Sequence, residues 1–226
     1  MNYHSIINKT SFTVVWAMTV IFSGCCPTTS LHPLSDSSNL KFDERLSGAW
    51  HAEIEDSNAY LHIGKGKDNY TQIQYIEHKK DGTMDNASFI AFPTFIGTDN
   101  FLNIQLALLP EGKFDGYIFV MYELLDNDRL SLFNWDEEIF ENAIREGRLK
   151  GEITEKFDEY NPEQGQRLTG KSECVRITDD AEHIIQFIES YGKTKIFSNP
   201  VGTFERIVGK DTTPRSAVPE TEDPHR

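Results

Sequence analysis

GAWHAEIE, residues 48–55, decides how the rest of the chain is read. Trp50, Ala52 and Ile54 are apolar, while His51, Glu53 and Glu55 between them are polar. That period of two belongs to a strand with one face on a core and the other in water. Outward from this stretch, AYLHIG (59–64), YTQIQYIEHK (70–79), ASFIAFPTFI (87–96), FLNIQLALL (101–109), GYIFVMYELL (116–125) and RLSLFN (129–134) read as further strands. Turn residues separate them at Lys80-Asp81-Gly82, Thr98-Asp99-Asn100 and Asp126-Asn127-Asp128. Such even spacing predicts an antiparallel meander. ASFIAFPTFI and GYIFVMYELL are apolar on both faces and must be covered on both sides. Pro93 marks an edge or a bulge.

Two helices interrupt the second half. The first opens at Asn134 or Asp136 with acidic residues in its first turn, carries Ile139, Phe140, Ala143 and Ile144 on one face, and ends at Gly147. The second has Asp179 and Glu182 at capping-box spacing, an apolar stripe of Ala181, Ile184, Ile185 and Ile188, and Gly192 at its close. Strand-like segments flank them: LKGEITEKF (149–157), ECVRIT (173–178), and KTKIF (193–197) or GTFERIV (202–208). The fold class is mainly β (α+β), with the meander closing into a curved sheet or barrel and two amphipathic helices packed on it.

At the amino terminus, MNYHSIINKT carries Lys9 as its one full positive charge, and SFTVVWAMTVIFSG then runs apolar up to Cys25 and Cys26. This is the layout of a secretory signal. Its apolar core of about a dozen residues is shorter than the roughly 20 that a spanning helix needs. Phe22-Ser23-Gly24-Cys25 resembles the lipobox of bacterial lipoproteins, with Phe22 where that family usually has Leu. The resemblance implies that residues 1–24 are removed, that the Cys25 thiol receives a diacylglyceryl group and that the new amino terminus is acylated. Several acyl chains make such an anchor effectively permanent. Cys26 rather than Asp after the lipidated residue implies, for a Gram-negative host, the outer membrane facing the periplasm. Residues 25–39, rich in Ser, Thr and Pro, read as a tether. Residues 40–208 form one domain, and 209–226, with almost no apolar residues, read as a disordered acidic tail.

Lys41-Phe42-Asp43-Glu44-Arg45-Leu46-Ser47-Gly48-Ala49-Trp50-His51 resembles the entry motif of lipocalin-like barrels, a short helical turn followed by Gly-x-Trp on the first strand. The resemblance implies that Trp50 closes one end of a barrel beneath a basic side chain from the last strand, for which Arg206 is the candidate. The helix after Trp135 and the polar loop 158–170 are additions to that pattern. The aromatic residues concentrate in the middle strands, and most serve packing. In a hollow barrel, Phe89, Phe92, Phe101, Tyr117, Phe119 and Tyr122 are the candidates to line an apolar cavity for a small hydrophobic ligand. Alternation does not tell which of them face inward.

The formal net charge of −14 argues against nucleic acid, whose phosphates demand a basic face, and against adsorption to anionic lipid. Residues 165–172, GQRLTGKS, satisfy the phosphate-loop pattern letter for letter, but a polar segment precedes them and a strand pattern follows. The mechanism needs a strand before the loop and a helix after it. His51, His62 and His78 fall on strands, and His51 and His62 beside Glu53 are conceivable metal ligands; the spacing is not that of a metal site. No nucleophile elbow or Cys–His arrangement stands out, so neither a catalytic residue nor a cofactor is expected. In an oxidising compartment Cys26 and Cys174 could pair, although Cys174 lies in an apolar run and reads as a buried small hydrophobe. Two readings follow: a lipid-anchored, non-catalytic barrel that binds a small hydrophobic ligand, or a solid-cored interaction module serving an envelope complex. Cavity volume separates them.

Overall fold

A computed structural model describes residues 27–36, 40–54, 57–106, 116–126, 128–157 and 171–207. The signal segment, Cys25, Cys26, the loop 158–170 and the tail 209–226 lie outside the described residues. The strands are β1 (Thr29–Ser30), β2 (Gly48–Ile54), β3 (Ser57–Lys65), β4 (Thr71–Lys79), β5 (Met84–Ile96), β6 (Asp99–Gln105), β7 (Tyr117–Asp126), β8 (Arg129–Asn134), β9 (Gly151–Phe157), β10 (Lys171–Ile177) and β11 (Asn199–Arg206). The helices are α1 (Glu137–Arg145), α2 (Ala181–Tyr191) and the single turn α3 (Lys193–Ile196).

Alternation along β2 to β8 gives every strand an apolar inward face, and antiparallel pairing of each strand with the next aligns those faces. Trp50 stands opposite Leu61, Leu61 opposite Tyr75, and Tyr75 opposite Ala87. The β6–β7 pairing continues the row, and β11 fits between β8 and β2, with Arg206 level with Trp50. The result is a closed eight-stranded antiparallel barrel of lipocalin-like form. Closure leaves no free sheet edge in this ring. Trp50, Leu61, Tyr75, Phe89, Tyr122, Leu130 and Phe204 belong to the cluster that fills its interior.

A second apolar cluster lies on the outside of the same wall. Phe101 of β6 and Phe119 and Met121 of β7 pack with Trp135, Phe140, Ile184, Phe187, Ile188 and Phe197 from the inserted helices. Strands apolar on both faces are thus covered on both sides, β7 by helices and β5 in part by the amino-terminal segment. Helix α1 begins where the Asp136 carboxylate accepts from the Glu138 amide at 3.0 Å. Helix α2 is capped by Asp180, which accepts from the His183 amide at 2.9 Å, and not by Asp179. Asp179 instead turns back to the Lys150 amide at 3.1 Å, tying the start of α2 to the strand that follows α1. KTKIF forms the turn α3 rather than a strand, and its Ile196 carbonyl accepts from the Asp136 amide at 2.7 Å; the closing strand is the GTFERI stretch.

Two expectations are corrected here. Residues 27–36 are no tether but part of the domain: Pro27 to Ser30 are buried, β1 runs parallel to β10 and antiparallel to β7, and Leu34 is buried. The small polar side chains that made this stretch look like linker suit it to lie flat on the barrel wall. The buried Asn103 amide holds it, accepting from the Leu34 amide at 2.7 Å and donating to Thr94 Oγ1 at 2.8 Å and the Phe92 carbonyl at 3.2 Å. Gly116, with φ +136°, lies where an added Cβ would come within 2.5 Å of the Ser30 carbonyl oxygen, so this approach requires glycine. The second correction concerns Cys174, which is not a free buried thiol but is disulfide-bonded.

Candidate functional site

One end of the barrel is sealed by residues 42–50. Leu46 ends a 3-10 turn, Glu44–Leu46, whose cap, Asp43, is itself buried. Trp50 Nε1 donates to the Leu46 carbonyl at 2.9 Å, and the Arg206 guanidinium lies 4.0 Å from the centre of the Trp50 ring. Arg206 also donates to the Ser47 and Arg45 carbonyls, so it joins the last strand to the entry turn. Tyr122 Oη donates to Asp43 Oδ2 at 2.8 Å from within the barrel, and Arg45 grips the same carboxylate at 2.8 and 2.7 Å. Burial pushes the Asp43 carboxyl up, but the hydrogen bonds from Arg45 and Tyr122 outweigh it and hold the group below the usual carboxylate range. Burial, with the Asp43 carboxylate beside it, raises the Tyr122 phenol. A satisfied carboxylate beside a phenol held neutral is a plug, with no open position for a reacting group.

The aromatics of the middle strands divide between the two sides of the wall. Phe89 and Tyr122 belong to the interior cluster; Phe101 and Phe119 belong to the outer one beneath the helices. Phe92 also lies on the outer side, its ring edge-on to Tyr70 and Tyr117 at 6.0 and 6.1 Å. Four of the six candidates therefore line no barrel interior, because each stands one residue out of step with its strand's inward set. Among the described residues, much of the inward set is tightly packed. Trp50, Ala59, Ala91, Tyr122, Leu130 and Phe204 have no accessible surface, whereas a void large enough for a ligand would leave its lining open to water. Ile54, Ala87, Ile104, Val120 and Leu124 are the partly exposed apolar residues packed against this core.

Open space lies instead on the outside of β2 to β5. A groove of about 740 Å³ crosses these strands, bordered at outward positions by His62 and Gly64 of β3, Gln72 and Gln74 of β4, and Ser88 and Ile90 of β5, with Ser47, Gly48 and the interior-cluster residues Ile63, Ile73 and Phe89 also in its lining. Cross-strand register aligns them, His62 opposite Gln74 and Gln74 opposite Ser88, and Ser88 Oγ donates to Gln74 Oε1 at 2.6 Å. Nothing in the groove carries a permanent charge, although the whole chain stands at −14. Farther along the same wall His51, Tyr60 and His78 form an aromatic row with ring centres 4.9 and 5.7 Å apart. His51 faces Tyr60 rather than His62, and its Nε2 lies 3.1 Å from Asn58 Oδ1.

Asp179, Asp180 and His183 bring ligand atoms within 4.8 Å of one another. Their hydrogen bonds account for that closeness, since Asp180 caps α2 and Asp179 holds Lys150. In the phosphate-loop match, Lys171 and Ser172 open strand β10, not a helix, so the amide cradle this motif uses cannot follow them. Sequence reasoning passed over Asp43 and Asn103. Both are short polar residues, Asp43 in a charged turn and Asn103 between Leu102 and Ile104, and their burial is visible only in the fold. Among the described residues no helix is long and apolar enough to cross a membrane. No known protein family, curated protein or solved structure matches this chain.

Proposed function

We propose that the protein is a non-catalytic interaction module, held to the bacterial envelope by a lipid on Cys25, that engages a partner through the outer wall of β2 to β4 and the groove there. The observation that supports this reading is the open groove on the outer wall, beside inward side chains of which many, among the described residues, have no accessible surface. The groove's uncharged donors and acceptors suit an uncharged, hydrogen-bonding surface, and an unburdened wall in an acidic chain avoids repelling it. Binding of a small hydrophobic ligand remains the second reading, favoured by the partly exposed Ile54, Ala87 and Ile104 beside the core.

Native mass spectrometry of the domain, purified gently from the periplasm, separates the two. The interaction module predicts a bare mass that does not shift when lipid extract is added. A lipid-sized excess lost on denaturation would transfer the function to the barrel. Photocrosslinkers at positions 62 and 74 should then capture a discrete partner in intact cells while one at position 138, on α1, captures none; equal capture at all three sites would sink the assignment of the face.

A further inference from the structure

Gly64 has no structural reason to be glycine. It stands inside β3, its φ lies outside the left-handed range, and a Cβ added there would meet nothing within 4 Å. The register between β3 and β4 runs unbroken through it, with Ile63 opposite Ile73, Gly64 opposite Gln72 and Lys65 opposite Thr71, so no bulge calls for it. A glycine within a strand gives up packing and costs conformational entropy. Where neither bulge nor bend explains it, it marks a place that another molecule or backbone approaches closely. That place lies in the outer groove, which Gly64 lines with backbone alone.

The outward positions around it fall in two rows across β3, β4 and β5: Gly64, Gln72 and Ile90, then His62, Gln74 and Ser88. The rows stand roughly 7 Å apart, two residues along a strand. Ser88 Oγ donates to Gln74 Oε1, which leaves the Gln74 amide hydrogens to donate and the Ser88 oxygen to accept. Gln72 and His62, both exposed, have no hydrogen-bond partner among the described residues. Each of these four side chains can both donate and accept. A sugar hydroxyl does the same at a single atom, so the wall matches a polyhydroxyl face with no fixed charge on either side. Beyond the second row the rings of His51, Tyr60 and His78 continue the wall. Aromatic faces carry partial negative charge, against which the C–H edges of a sugar ring pack.

We propose that the groove across β3 to β5 binds a neutral glycan, a chain of uncharged sugar residues that lies across Gly64 and is held by Gln72, Gln74, Ser88 and His62. This gives a partner chemistry to the face described above as the interaction surface, and it rests on that reading. Other occupants fit less well. An extended peptide gains affinity from main-chain hydrogen bonds at a free sheet edge, and β3, β4 and β5 are each paired on both sides. An acidic polymer would meet a chain of net charge −14, and a basic one finds no carboxylate among the groove's lining residues. A lipid chain needs continuous aliphatic area, and Ile90 is the one aliphatic side chain in the two outward rows. The groove's volume of about 740 Å³ lies within the range that small-molecule sites use.

The test is equilibrium dialysis of the full chain, in a detergent that carries no sugar, against labelled cellohexaose, maltohexaose and the hexamer of N-acetylglucosamine. The hexamers of galacturonate and of glucosamine serve as acidic and basic counterparts. The proposal expects saturable binding of at least one neutral hexamer and of neither charged one. Gly64→Val fills the groove without removing a polar group and suits a strand, so it should keep or raise the thermal midpoint while weakening binding about tenfold or more. Gln74→Ala, which leaves the space open, should weaken binding about tenfold, and it supplies the same test should the valine lower the midpoint. Glu138→Gln on α1 should bind as the parent does. Undiminished binding by a folded Gly64→Val or Gln74→Ala variant would overturn the proposal, as would tighter binding of either charged hexamer. If no neutral hexamer binds while crosslinkers at positions 62 and 74 still capture a protein, the glycan is overturned and the assignment of the face stands. Loss of both results would end both.

Discussion

The two halves of the barrel wall are built from the same alternation and meet different fates. Along β6 and β7 the outward residues Phe101, Phe119 and Met121 are as apolar as the inward ones, and helices α1 to α3 bury them. Along β2 to β4 the outward residues include His51, Glu53, Tyr60, His62, Gln72, Gln74 and His78, and among the described residues no element covers the groove that His62, Gln72 and Gln74 border. One half of the wall is thus a central layer between two cores, the other a boundary between a core and solvent. The difference teaches that covering is paid for by side chains, not by backbone: a strand is covered where it presents apolar area worth about 25 cal/mol per Å², and left open where it does not.

Substitutions can break this comparison, and the covered half should suffer most. Phe119 packs against Trp135 with ring centres 4.9 Å apart and no accessible surface. Phe119→Ala should cost about 3–5 kcal/mol in urea unfolding, enough to detach helices from β7. A loss below about 1 kcal/mol would mean that the helical layer is not part of the cooperative core.

The plug comes next. Asp43→Asn leaves Tyr122 and Arg45 without their carboxylate, and should cost about 1–3 kcal/mol at neutral pH. The sign of its pH dependence follows from the direction of the shift. Because the folded Asp43 carboxyl is held below its ordinary value, its contribution is present above the unfolded value and is lost as pH falls through the lowered folded one. The Asn variant should therefore show a shallower acid limb in thermal melts as pH falls below the ordinary carboxylate value. Identical acid limbs for the two proteins would remove Asp43 from the plug.

A smaller effect is expected where the amino-terminal segment crosses the wall. Asn103→Ala removes the acceptor of the Leu34 amide and the donor to Thr94, and should cost about 1–2 kcal/mol while hydrogen exchange over residues 27–36 accelerates. Unchanged exchange there would show that β1 pairing alone holds the segment. On the bare wall the effect should nearly vanish: Tyr60→Ala and His62→Ala are expected to change stability by no more than about 0.5 kcal/mol while weakening capture of the partner. A large loss of stability from either would mean that this half of the wall is as structural as the other.

The sequence by itself determined the strands from β2 onward, their meandering order, the first helix with its start narrowed to Asn134 or Asp136, the ends at Gly147 and Gly192, and the two stretches that had to be covered on both sides. These are local or period-two properties, carried by side chains within a few residues of each other. Tertiary structure alone decided what depends on distant partners. Alternation sorts the middle-strand aromatics into two sets but does not say which set is inside; pairing with neighbouring strands sent Phe89 and Tyr122 inward and Phe92, Phe101 and Phe119 outward. Side-chain volume across the ring decided how deeply each described inward residue is buried. Residues 27–36 looked like linker because small polar side chains are shared by linkers and by segments lying flat on a wall, and only the contact with Asn103 and the β1 pairing tell these apart. Cys174 looked like a buried hydrophobe for a similar reason: a disulfide needs a partner nearby in space, and the run of sequence around Cys174 holds no second cysteine.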